Sequence, residues 1–122
     1  MAGFKEIFSA YGGDYDATIA RFMGSEAMYL RILPMLFQDE NLEKLGGALR
    51  DGDSEAAFVA AHTLKGVTGN LGLSPLYQAV CEMVEALRTK SDADYSALYG
   101  VIADEFEKVR RLEAALTANA KP

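Results

Sequence analysis

The chain has 122 residues, half of them hydrophobic, and a net charge of −6. That is one domain of ordinary size with enough apolar material for a real core, and its acidic balance argues against unspecific binding to nucleic acid or to an anionic membrane. The single cysteine, Cys81, rules out an internal disulfide and fits a reducing compartment.

Helix signals follow one another along the chain. Phe4, Ile7, Phe8 and Tyr11 recur at helical spacing and predict a short first helix, ended by Gly12-Gly13. Asp14 is a cap for a second helix in which Tyr15, Ile19, Phe22 and Met23 share a face. Gly24 stops it, and Ser25 caps a third with the stripe Tyr29, Ile32, Leu33, Leu36 and Phe37. Pro34 lies inside that stripe and predicts a kink or an early end. Leu42, Leu45 and Leu49 mark a further helical piece up to the turn "DGD" at 51–53. Asp53 or Ser54 caps the next helix, which carries the lone histidine. Ser74-Pro75 reads as a cap followed by proline at the first helical position, and Leu76, Val80, Met83, Val84 and Leu87 form the face behind it. Tyr95, Leu98, Ile102, Phe106, Val109, Leu112 and Leu116 give a long last helix. Neither a strand nor a repeat is visible, and short connections make neighbouring helices antiparallel. The expected fold is an all-α up-down bundle. No apolar run approaches the roughly 20 residues of a membrane span, and the N-terminus has no signal-peptide core, so a cytoplasmic protein is expected.

The stretch "AAHTLKGVTGNLGL", residues 60–73, holds the only histidine. At about 100° per residue, Ala60, Leu64, Val67 and Leu71 fall on the side opposite His62, and with Ala57 they form the core stripe. His62 therefore points away from the core. Helical side chains lean toward the N-terminus, so residues at 66 and 69 would lean over the imidazole. Both are glycine, each at a cost to the helix of about 1 kcal/mol relative to alanine. A close helix crossing would ask for small residues on the core face; these lie on the solvent face, which suggests clearance for a partner. Gly72 ends the helix. Lys65 leans back toward the ring, where its charge would neutralise an anion held on the imidazole. A neutral imidazole is a nitrogen nucleophile. Exposed, unshielded and with one cation nearby, it suits accepting and handing on a phosphoryl group, with the remaining machinery on another protein.

This segment resembles the signature of histidine-containing phosphotransfer domains, roughly H-x-L-K-G-x-[ST]-x-x-x-G, matched by His62, Leu64, Lys65, Gly66, Thr68 and Gly72. The preceding "LRDGDSEAAFVAAH" and the later "LYQAVCEMVEALR" are also similar to the family. The resemblance covers about residues 14–117 of a single domain, 1–122, with 1–13 as an N-terminal extension. It implies a four-helix bundle with additional short N-terminal helices, phosphorylation of His62, phosphoryl stabilisation by Lys65 and clearance by Gly66. It further implies exchange with aspartates of response-regulator receiver domains, including those of a hybrid histidine kinase, in a multistep phosphorelay. The protein would be a monomeric phosphocarrier with no kinase activity, no resident cofactor and no metal of its own, the Mg²⁺ belonging to the receiver.

Phe58, one turn before His62, is either bundle edge or partner contact. Phe58, Glu55, Gly69 and Asn70 are the candidate docking residues, and Met28, Tyr29 and Met35 could extend an apolar patch. Glu82 and Glu85, on the next helix, are the two candidates to orient the imidazole. Valine at 59 removes a di-iron carboxylate motif, and one histidine with one cysteine makes no zinc site. Cys81, next to Val80 in a helix with an apolar face, reads as a buried, inert thiol rather than a partner of His62 in a dyad. The run "GVTGNLG" follows a helix rather than a strand and lacks a Gly-Lys-Ser/Thr phosphate loop. The competing functions are a non-phosphorylated helical adaptor that docks or blocks a receiver, and the phosphotransfer domain of a larger kinase.

Overall fold

The computed structural model describes residues 3–120. Seven α-helices follow one another: α1 Phe4–Tyr11, α2 Tyr15–Ala20, α3 Glu26–Ile32, α4 Asn41–Arg50, α5 Ser54–Asn70, α6 Ser74–Arg88 and α7 Tyr95–Ala120. No strand occurs among the described residues. Helices α4 to α7 close a four-helix bundle: α4 packs on α5, α5 on α6, α6 on α7, and α7 returns to α4. Short connections, Asp51–Asp53 and Leu71–Leu73, make consecutive helices antiparallel. The axis of the bundle is filled by Leu45, Leu64, Leu76, Val80, Met83, Ile102, Val109 and Leu116, all fully buried. At Gly46 the α4–α7 crossing is so close that a β-carbon would lie 2.8 Å from the Tyr99 hydroxyl, which donates to the Leu42 carbonyl.

The N-terminal helices pack on this bundle through an aromatic cluster. Tyr29 is fully buried, and the rings of Phe4, Phe8 and Phe22 meet it edge-on at 6.0, 5.7 and 5.1 Å between centroids. Helices α1 and α3 both reach α7. Side-chain caps fix the starts of α2 and α3: Asp14 accepts from the Ala17 amide and Ser25 from the Met28 amide.

Three local expectations are corrected, and at Pro34 the early end is the one of the two expected outcomes that occurs. Helix α2 ends at Ala20, and Met23 adopts a φ of 56° and is 84% exposed, off the face that buries Ile19 and Phe22. Pro34 does not kink α3. It ends it at Ile32, and the chain tightens into a 3₁₀ segment, Leu33–Gln38, that still buries Leu33 and Leu36. Ser74 is the first residue of α6 rather than its cap, and Pro75 follows it. The capping position is Leu73, whose side chain is buried and offers no oxygen. Tyr29 belongs to the core and offers nothing to a docking patch; Met28 packs half-buried against that core, and Met35 stays exposed.

Candidate functional site

Helix α5 carries the histidine because both its ends are fixed. At its start the Asp53 carboxylate accepts from the Ala56 amide at 3.0 Å, which decides between Asp53 and Ser54. Ala57, Ala60, Ala61, Leu64 and Thr68 bury one side of the helix. Small residues at 57, 60 and 61 let α4 and α6 approach closely, and the buried Thr68 hydroxyl donates to the Leu64 carbonyl. His62 lies in the middle of the helix and is exposed.

Around it lies an open depression of about 450 Å³, lined on α5 by His62, Lys65, Gly66, Gly69 and Asn70. Five sequence-selected positions thus share one surface. Two further residues complete the lining: Tyr77 from α6 and Arg21 from the end of α2. Neither was singled out in the sequence, because each reaches the site by tertiary packing.

The two glycines beside the histidine differ. A β-carbon on Gly66 would meet nothing within 4 Å, so no contact within the chain requires glycine there. A β-carbon on Gly69 would lie 2.9 Å from the Tyr77 ring, so this glycine is a packing residue at the α5–α6 contact. Clearance for a partner is therefore not needed to explain Gly69. Gly72 ends the helix at a φ of +67°, and a side chain there would also collide with Thr18.

Phe58 is half-buried. It packs against the rim of the core and meets the His62 ring at 5.7 Å between centroids, the planes inclined by 32°. The imidazole is thus supported by an aromatic face. Neither candidate carboxylate hydrogen-bonds to it: Glu82 is exposed, and Glu85 accepts from Arg88 at 3.2 Å. That bond holds the Glu85 carboxyl below its ordinary range, and the charge of Lys65 adds to the effect. Glu55 lies outside the depression, in the adjoining groove shared by Phe58 and Arg88. Val59 is 62% exposed on the same helix and lines a separate groove between α4 and α5.

Cys81 is partly exposed rather than buried, because its position falls at the edge of the apolar face of α6, and the Tyr77 phenol, donating toward its sulfur, is raised above its ordinary range. Among the described residues, no group of three histidine, cysteine or acidic side chains is placed to hold a metal ion, and no helix is long and apolar enough to cross a membrane.

The arrangement offers a nucleophilic nitrogen to solvent, with cations beside it and a bare helical position over it. A family model, described as Hpt domain, matches residues 36–118. A search of curated proteins and a search of solved structures return no match.

Proposed function

The chain belongs to the Hpt domain family, and on that premise we propose that it carries a phosphoryl group on His62 between receiver domains of a multistep phosphorelay. Family membership implies phosphotransfer in a phosphorelay, with receiver domains as partners and the domain as carrier rather than catalyst. The finer assignment is our own. An imidazole nitrogen of His62 attacks the phosphorus of a receiver aspartyl phosphate; the new N–P bond forms as the P–O bond breaks and the aspartate leaves. The reverse step delivers the group to a second receiver. Lys65 stabilises the phosphoryl charge, Gly66 admits the receiver, and Phe58 forms the apolar contact beside the histidine. Asn70 and Gly69 border the docking surface, and Glu55 lies at its far edge. The Mg²⁺ for transfer sits on the receiver. The hybrid kinase that feeds the relay carries such a receiver, and the carrier works as a monomer formed by the whole of 1–122.

The observation that carries the reading is position 66: glycine on an exposed helical face, beside the only histidine, where a β-carbon would touch nothing. Helix stability alone favours alanine there, and what supports a partner's approach is that this bare position stands beside the histidine.

The test is transfer of labelled phosphate from phosphorylated receivers. Label should appear on the protein, be acid-labile, be absent with ATP alone and be absent in His62→Gln. Tight receiver binding without label transfer would instead make the protein a docking adaptor.

A further inference from the structure

We infer that Arg21, at the end of α2, is a second cation of the His62 depression, held there by the last carbonyls of α5 to stabilise the phosphoryl group. This rests on the function proposed above and adds a positioning element from outside the segment that the family model matches.

The last carbonyls of a helix have no partners within it. In α5 two of them are taken by Arg21, whose Nε donates to the Asn70 carbonyl and Nη2 to the Gly69 carbonyl, each at 3.1 Å. The Leu71 carbonyl, just beyond, accepts from the buried Tyr29 hydroxyl at 2.7 Å. Helix α2 is seated at this point because Thr18 occupies the space left open at Gly72. Arg21 is therefore a guanidinium fixed at two donors rather than a free surface cation.

A guanidinium has further N–H groups beyond those two. Among the described residues no carboxylate pairs with Arg21, and its side chain lines the same depression as His62 and Lys65. The Gly69 and Asn70 carbonyls that Arg21 takes stand at the edge of the depression that His62 also lines. Arg21 covers them and leaves positive charge toward the depression. Lys65, by contrast, already shares its field with Glu85.

A simple helix clasp would use the same two hydrogen bonds, and the experiment separates the two roles. Phosphoramidate transfers its phosphoryl to histidine without a receiver: its P–N bond breaks, the bond from the imidazole nitrogen to phosphorus forms, and ammonia leaves. Phosphorus NMR then reads the titration of the phosphoryl group, and label loss reads its lifetime. A nearby cation favours the doubly charged phosphoryl and opposes ring protonation, the step that leads to hydrolysis. Arg21→Gln should raise the phosphoryl titration and shorten the lifetime roughly two- to fivefold, as expected for loss of one exposed charge across a wet depression. The difference should shrink in high salt. Arg21→Lys keeps the charge and should recover most of the lifetime. If Arg21→Gln lowers the melting temperature but leaves titration and lifetime unchanged, Arg21 is a clasp only. A folded Arg21→Lys that behaves like the glutamine variant also overturns the inference. If the unsubstituted protein takes no phosphoryl from phosphoramidate, the function proposed above fails first, before the variants are compared.

Discussion

Gly66 and Gly69 show what single positions on one helical face can mean. Both lie on the solvent side at about 100° per residue, so the sequence groups them. The Tyr77 ring on the next helix separates them. Gly66→Ala should raise stability by up to about 1 kcal/mol, read as a higher melting temperature. Gly66→Leu should stay folded and slow phosphoryl transfer about tenfold or more, since about 1.4 kcal/mol of obstruction is enough for that factor. Unfolding of Gly66→Leu would make Gly66 a packing residue. Gly69→Ala should gain nothing, because the contact with Tyr77 offsets the better helix propensity. In a Tyr77→Ala background the same change should recover the gain, and a cycle of the four proteins measures that coupling.

On the scale of the element, the two ends of α5 differ in how far they can be read. Its start follows a local rule: an aspartate three residues before the amide it accepts from. Asp53→Ala should cost about 1 kcal/mol in chemical denaturation. Its end is held by Tyr29 and Arg21, which are 42 and 48–49 positions away. No periodicity reports a contact over that distance, which is why the sequence put Tyr29 on an apolar stripe but left a docking role open to it, and passed over Arg21. The same limit explains Ser74: composition marked it as a cap, but the chain enters α6 directly from the buried Leu73. Tyr29→Phe keeps the ring packing and leaves the Leu71 carbonyl unpaired, so it should cost about 1–2 kcal/mol. A variant as stable as the parent would show that water replaces the hydroxyl.

For the whole molecule, the order of helices and the exposed side of α5 were legible, because apolar residues at spacings of three and four are what a bundle buries. The partners that complete the depression were not, since they come from α2 and α6 by tertiary packing. The aromatic cluster gives the assembled fold a pH dependence. Burial pushes the Tyr29 and Tyr11 phenols well above their ordinary value, and the hydrogen bond to Glu26 raises Tyr15 to about 12. Raised phenols contribute stability that is complete below the unfolded value of about 10 and lost as pH climbs toward their folded values. Tyrosinate absorbance from the buried rings and loss of helical circular dichroism should therefore share one alkaline transition; buried phenols that ionise while helix content persists would contradict this. If the bundle presents His62 as a phosphoryl acceptor, the decisive measurement is the location of the phosphate. After incubation with phosphorylated receivers, or with phosphoramidate, the protein is digested at alkaline pH and sequenced by electron-transfer mass spectrometry. The account predicts one phosphorylated residue, His62. Phosphate on any other residue, or a protein left unmodified by both donors, would contradict it.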